Sequence, residues 1–142
     1  MELPYADTIN YWKTSRSGSD IWIDRAKAQI EKFGGKVLAE GFGSNAEGRA
    51  AFMIGFQMDS EKFKAVWPVL PTEYEKDQKA ARVQAATLLY HDVKGKCISA
   101  SVLGARTAFF SYLMLPDGRT AIEATEKELT EGIPKQLLLS DF

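Results

Sequence analysis

The chain has 142 residues, 45% of them hydrophobic and 26% charged, which is enough for one core of ordinary size and too little for two domains. Lys and Arg number 18 against 19 Asp and Glu, so a protein basic all round, like a histone, and a strongly acidic nucleic-acid mimic are both excluded. The lone Cys97 forbids an intramolecular disulfide, and with the lone His91 it supplies too few ligands for a Cys-based zinc site.

In chain order, residues 1–19 carry Tyr5, Tyr11 and Trp12 but no clear period, and read as an N-terminal arm ahead of a single domain over 20–142. The opening MELPYADTINYWKTSRS lacks the charged leader and apolar run of a signal peptide, and a cytoplasmic protein is expected. In DIWID, Ile21 and Ile23 alternate with polar neighbours as in a short strand. Asp24 then starts a helix over Asp24–Phe33, with Ala26, Ile30 and Phe33 on one face and Gly34-Gly35 at its end.

Beyond the glycines the period changes from 3.6 to 2. KVLAEGFG reads as a first strand and GSNAEG as a turn. RAAFMIGFQM is a central strand, with Phe52, Ile54, Phe56 and Met58 on one face and a second, also fairly apolar face behind them. After a tight turn at MDSEK, KFKAVW sets Lys62 and Lys64 outward against Phe63, Ala65 and Trp67 inward, and Pro68 ends the strand. Three strands joined by short turns predict an antiparallel meander.

Thr72-Glu73-Tyr74-Glu75 has the spacing of a capping box before a long helix that runs to Leu103. Ala81, Ala85, Leu89 and Val93 form its apolar stripe, with Ala86 and Cys97 beside it. Gly95 offers a break, and Gly104 a C-terminal stop. TAFFSYLMLP reads as strand or helix alike. Leu115-Pro116-Asp117-Gly118 is a turn signal, Thr120–Thr130 a short amphipathic helix, and QLLLSDF an apolar tail able to dock on the body or on a partner. The fold class is α+β: a three-stranded antiparallel meander packed against a short N-terminal helix and a long basic helix, with small C-terminal helices.

The near-zero charge hides an asymmetry. From Lys76 to Lys96 five bases face two acids, and from Asp117 onward six acids face three bases. Lys76, Lys79 and Arg82 recur along one side of the long helix and suit phosphate contact, with Lys94, Lys96 and Arg106 extending the patch and Lys62 and Lys64 adding to it. The competing reading is a solvated helix face. Trp12 and Trp22 are candidates for base stacking or for packing, Trp67 for the core, and Arg119 for display on a tight turn. His91 and Asp92 are adjacent in a helix and point about 100° apart, which suits no catalytic pairing. No catalytic residue, cofactor or metal is expected. The expected partner is nucleic acid of unspecified type, with a homo-oligomer or a host protein as the alternative and no membrane.

Two resemblances bear on this reading. The order helix, strand, strand, strand, helix over residues 24–90, with Lys79, Ala81, Arg82, Ala85 and Ala86 in Gln78-Lys79-Ala80-Ala81-Arg82-Val83-Gln84-Ala85-Ala86, resembles the double-stranded-RNA-binding domain. That family uses the start of its second helix on phosphates. Gln78 departs from a basic position of its motif. The layout IEKFGG, AFMIGFQM, WPVLP and LMLPDGRT over residues 20–135 resembles a family of small uncharacterised proteins of phages and other mobile elements. It implies that context and assigns no activity.

Overall fold

The computed structural model describes residues 2–125. Within them a helix α1 (Ser19–Lys32) leads into strands β1 (Lys36–Ser44), β2 (Ala50–Met58) and β3 (Glu61–Pro68), then a long helix α2 (Gln78–Leu103). Short helices α3 (Ala105–Ala108) and α4 (Ala121–Thr125) follow. The strands form one antiparallel sheet in the order β1-β2-β3, so the α+β meander expected from the sequence is the fold.

The first helix is longer than its periodicity predicts. DIWID is its first turn and not a strand, and α1 begins at Ser19. Ile23, Ala26 and Ile30 fall at i, i+3 and i+7 and are all buried, so helical burial of Ile23 overrides the local alternation. The helix closes in a Schellman motif: Gly34 takes φ 90°, its N–H donates to Glu31, and Gly35 N–H reaches the Ile30 carbonyl at 2.9 Å. This turn feeds β1 directly.

The sheet is steered by its register. Phe52, Ile54, Phe56 and Met58 of β2 lie beside Phe63 and Ala65 of β3 on the face that receives α1 and α2. Asp59 and Ser60 both have positive φ, which gives the two-residue hairpin between Met58 and Glu61. The same Asp59 carboxylate accepts the Ala105 N–H at 2.9 Å and anchors the start of α3.

The capping box is not formed. The Thr72 hydroxyl donates to the Tyr74 carbonyl, a 3₁₀ turn spans Glu75–Asp77, and α2 begins only at Gln78. It then runs unbroken through Gly95 for 26 residues, about 39 Å at 1.5 Å per residue, and stops where Gly104 takes φ 87°. Ala85, Ala86, Leu89, Val93 and Cys97 face the sheet. The segment after α2 is neither one strand nor one helix. It makes α3, a 3₁₀ turn at Phe110–Tyr112, and then a hairpin in which Leu113 bridges Phe63 and Met114 bridges Thr120. The 126–130 part of the expected last helix and the QLLLSDF tail lie outside the described residues.

Burial pushes the Cys97 thiol up to about 11. It therefore stays protonated at neutral pH and is a poor nucleophile. We expect iodoacetamide at pH 8 to label Cys97 only at the rate of unfolding, and prompt labelling of the native protein would refute this. The linkage has a definite sign. Between the unfolded value of about 8.5 and the folded value the unfolded chain holds fewer protons, so this thiol's contribution to stability declines as pH rises through that window.

Candidate nucleic-acid interface

The arm is built into the fold by a residue that belongs to no motif or periodic stripe. Gln84 is fully buried on α2, and its Nε2 donates toward the carbonyls of Ala6, Ile9 and Asn10 at 2.7, 3.1 and 3.0 Å. Ala6 N–H donates to the Pro71 carbonyl, and Ala6, Leu70 and Ala81 pack with Leu3, Ile9 and Trp12. Trp12 is thus a packing anchor. Trp22 is another: its Nε1 donates to Ser15 Oγ at 2.7 Å and Arg25 lies 4.6 Å over its ring. Trp67 packs against the core.

Docking the arm on α2 leaves the starts of α1 and α2 side by side. Gly18, Ser19 and Asp20 face Gln78, Lys79, Arg82 and Val83 across a shallow depression. The β1–β2 turn closes in from the other side. Ser44, Asn45 and Arg49 share an open groove of about 550 Å³ with Gln78, Ala81 and Arg82. That turn is well defined, because Asn45 Oδ1 accepts the N–H groups of Glu47 and Arg49 and Gly48 takes φ 81°. Arg82 lines both depressions, and its guanidinium sits 5.2 Å over Phe42, an edge-strand ring that remains 43% exposed.

Lys76, Lys79 and Arg82 are all exposed at this end, with Lys76 5.5 Å over the Tyr74 ring. Neither Gly18 nor Asp77 makes a side-chain cap, and at α2 the Gln78 N–H donates instead to the Glu75 carbonyl of the preceding 3₁₀ turn. Asp77 is held by Lys13 at 2.9 Å, which lowers the acidic field near Lys76. Acids also lie at this surface: Asp20 lines the depression, Glu2 and Glu47 line the groove, and Glu73 and Glu75 precede Lys76 in the chain. Arg49 and Phe42 belong to this surface and were not among the candidates. The signal for Arg49 was its place just after the GSNAEG turn; Phe42 reads only as strand.

The other candidate bases are elsewhere. Lys94 is exposed on α2, about 18 Å beyond Arg82 along the axis. Lys96 turns to Asp92 at 2.7 Å and lies 5.4 Å over the Tyr112 ring. Tyr112 in turn donates its hydroxyl to the second Asp92 oxygen, and burial together with that carboxylate holds the phenol well above its ordinary pKa. Arg106 pairs with Glu61 at 2.8 Å, an exposed pair that raises the guanidinium further through its hydrogen bond. Lys62 is exposed on β3, but Lys64 is not outward in the sense expected: it is fully buried. The 113–120 hairpin runs beside β3, and the Gly118 carbonyl accepts from Lys64 Nζ at 3.3 Å. Arg119 is drawn back onto its own turn by Asp117 at 2.8 Å, which holds that carboxyl below its usual range. A single continuous basic stripe is therefore replaced by one compact cluster.

His91 is exposed and stacks on Tyr11 at 4.7 Å, while Asp92 faces Lys96 and Tyr112, so the two do not pair. Among the described residues no group of three His, Cys, Asp or Glu is placed to hold a metal ion, and no helix is long and apolar enough to cross a membrane. Comparison with family models, curated proteins and solved structures finds no match to the chain.

Proposed function

We propose that the protein is a non-catalytic, cytoplasmic nucleic-acid-binding protein of phage or mobile-element type. The observation that carries this reading is the convergence of Lys76, Lys79 and Arg82 with the starts of α1 and α2 and with the Arg49 turn. Exposed cations gathered at one end of the long helix suit a phosphate backbone, whose neutralisation dominates affinity. The order α1-β1-β2-β3-α2 is also that of the double-stranded-RNA-binding domain, whose second helix grips phosphates at its start, and this likeness of order supports the reading.

Anisotropy titrations at low salt with single- and double-stranded DNA and RNA test this. The double variant Lys79→Ala, Arg82→Ala is expected to weaken binding across sequences and to reduce the magnitude of the salt slope by about 2, one for each lost phosphate contact. Absence of binding at micromolar protein, or a variant that binds like the parent, would overturn the proposal.

A protein-interaction role, as an oligomer subunit or a host-factor modulator, is the second reading. Ile98, Val102 and Leu103 near the end of α2, with Phe110 beyond α3, remain 52%, 80%, 61% and 56% exposed. Exposed apolar side chains such as Ile98 and Val102, four apart on one helix side, favour association that persists at high salt.

A further inference from the structure

Three aromatic side chains stand open at the basic end of the molecule. Phe42 on β1 remains 43% exposed, Tyr74 ahead of α2 59% and Tyr5 on the arm 50%. Two of these rings carry a cation: Arg82 lies 5.2 Å from the centre of Phe42, and Lys76 5.5 Å from that of Tyr74. Tyr5 lines the same groove as Arg49 and Arg82, among the buried apolar side chains of Ala50, Leu70 and Ala81. Aromatic faces and exposed cations therefore alternate over one surface.

The acids here narrow what that surface can hold. Glu2 and Glu47 line the groove together with the two arginines, and Asp20 lines the neighbouring depression. A carboxylate repels a phosphate, but it accepts a hydrogen bond from the amino group of a base. Bases offer their faces and pairing edges to a protein only when they are unpaired. A duplex hides both, and reading it by shape takes contacts spread over about 16 bp and two successive minor grooves. In this molecule rings, acids and cations converge on a single groove and its rim.

We propose that this site takes single-stranded nucleic acid, an inference that rests on the nucleic-acid reading above and narrows it. Bases stack on Phe42, Tyr74 and Tyr5, while Arg49, Lys76 and Arg82 hold the phosphates. A base lies on the open part of a ring or on the guanidinium plane beside it. Lys79 contributes charge alone. DNA and RNA share these bases and phosphates, so the probes below include both.

Anisotropy titrations at one low salt concentration compare three labelled DNA probes of about 20 nucleotides, longer than the usual site of such proteins. They are a mixed-sequence strand, its blunt duplex and an abasic strand; an RNA strand and its duplex are run alongside. The intact strand is expected to bind at least about tenfold more tightly than the duplex. It should exceed the abasic strand, which keeps every phosphate but has no base to stack, by a similar factor of about ten. Phe42→Ala and Tyr74→Ala should each weaken single-strand binding about fivefold or more and leave the salt slope unchanged, because a ring carries no charge. Tyr74→Phe should bind like the parent, and circular dichroism checks that each variant is folded. The abasic comparison uses the parent protein and needs no variant to fold. Equal affinity for intact and abasic strands, affinity for the duplex that matches or exceeds that for the strand, or folded ring variants that bind like the parent would each overturn this proposal. In those cases a salt slope that still falls in Lys79→Ala, Arg82→Ala would leave the broader nucleic-acid reading standing. Absence of binding to every probe would overturn both.

Discussion

Replacing Phe56 with alanine is expected to lower the unfolding free energy by about 3–5 kcal/mol, the usual cost of deleting a fully buried aromatic ring. Phe56 is central in β2 and wholly inaccessible. Its ring stands 5.4 Å from Phe63 on β3 and 5.0 Å from Phe109 beyond α3, the latter edge-on. Phe63 and Phe109 complete the triangle at 5.7 Å. One ring thus joins the sheet to the segment that follows α2, and neighbours held separately on β3 and beyond α3 cannot easily collapse into the cavity. A domain of this size has only about 5–15 kcal/mol in total. Urea unfolding should show the midpoint falling with little change in slope. Phe42→Ala, on the exposed edge, should cost far less. A loss below about 1 kcal/mol for Phe56→Ala would mean that the ring cluster does not hold the sheet.

The second large effect is expected at Gln84. Gln84→Glu keeps the shape but turns an acceptor toward three carbonyls that now receive N–H donation. The Gln84 Oε1 is itself buried with no hydrogen-bond partner, so the site has nothing to offer a second carboxylate oxygen. An ionised group there is an uncompensated buried charge, and removing one partner of such a site costs about 3–5 kcal/mol. The sign with pH follows. Burial raises the folded pKa of the new carboxyl above its unfolded value of about 4.3, so the folded state holds the extra proton and stability falls as pH rises through that window. Urea unfolding at pH 5 and pH 8 should show the deficit growing with pH. Gln84→Leu loses hydrogen bonds without adding charge, and its deficit should be smaller and flat with pH. Trypsin cleavage near Lys13 and Arg16 should accelerate in both variants as the arm is released. An arm that stays protected in Gln84→Glu would show that its apolar contacts hold it without the amide.

Much of the fold is legible in the chain because it depends on near neighbours. The alternation through Phe52, Ile54, Phe56 and Met58 announces a strand, and an apolar second face marks it as central. The glycines at 34 and 104 end helices for local steric reasons. Errors arose where local signals conflict with burial. DIWID alternates like a strand, but Ile23 has a place under the sheet only as part of α1. The spacing Thr72 to Glu75 matches a capping box, but Ala6 hydrogen-bonds at Pro71 and the chain takes a 3₁₀ turn before entering α2. The basic residues show the same division. Helical spacing places Lys76, Lys79 and Arg82 together, and they are together. Lys96 and Arg106 look equivalent in sequence, yet both are engaged: Lys96 by Asp92 one turn earlier on α2, a pair the i,i+4 spacing already offers, and Arg106 by Glu61, which only folding brings beside α3.

The sequence by itself therefore determined the three strands and their meander, the long helix, the apolar faces and the basic start of that helix, because these follow from side-chain period and from glycine and proline geometry over a few residues. Tertiary structure alone decided that Glu61 engages Arg106, that Arg49 and Phe42 join Arg82, that Gln84 ties the arm down, and that Lys64 is buried. Each of those outcomes depends on groups far apart in the chain. The desolvation and pairing of a charge are set by whatever the fold lays beside it, and no local pattern encodes that.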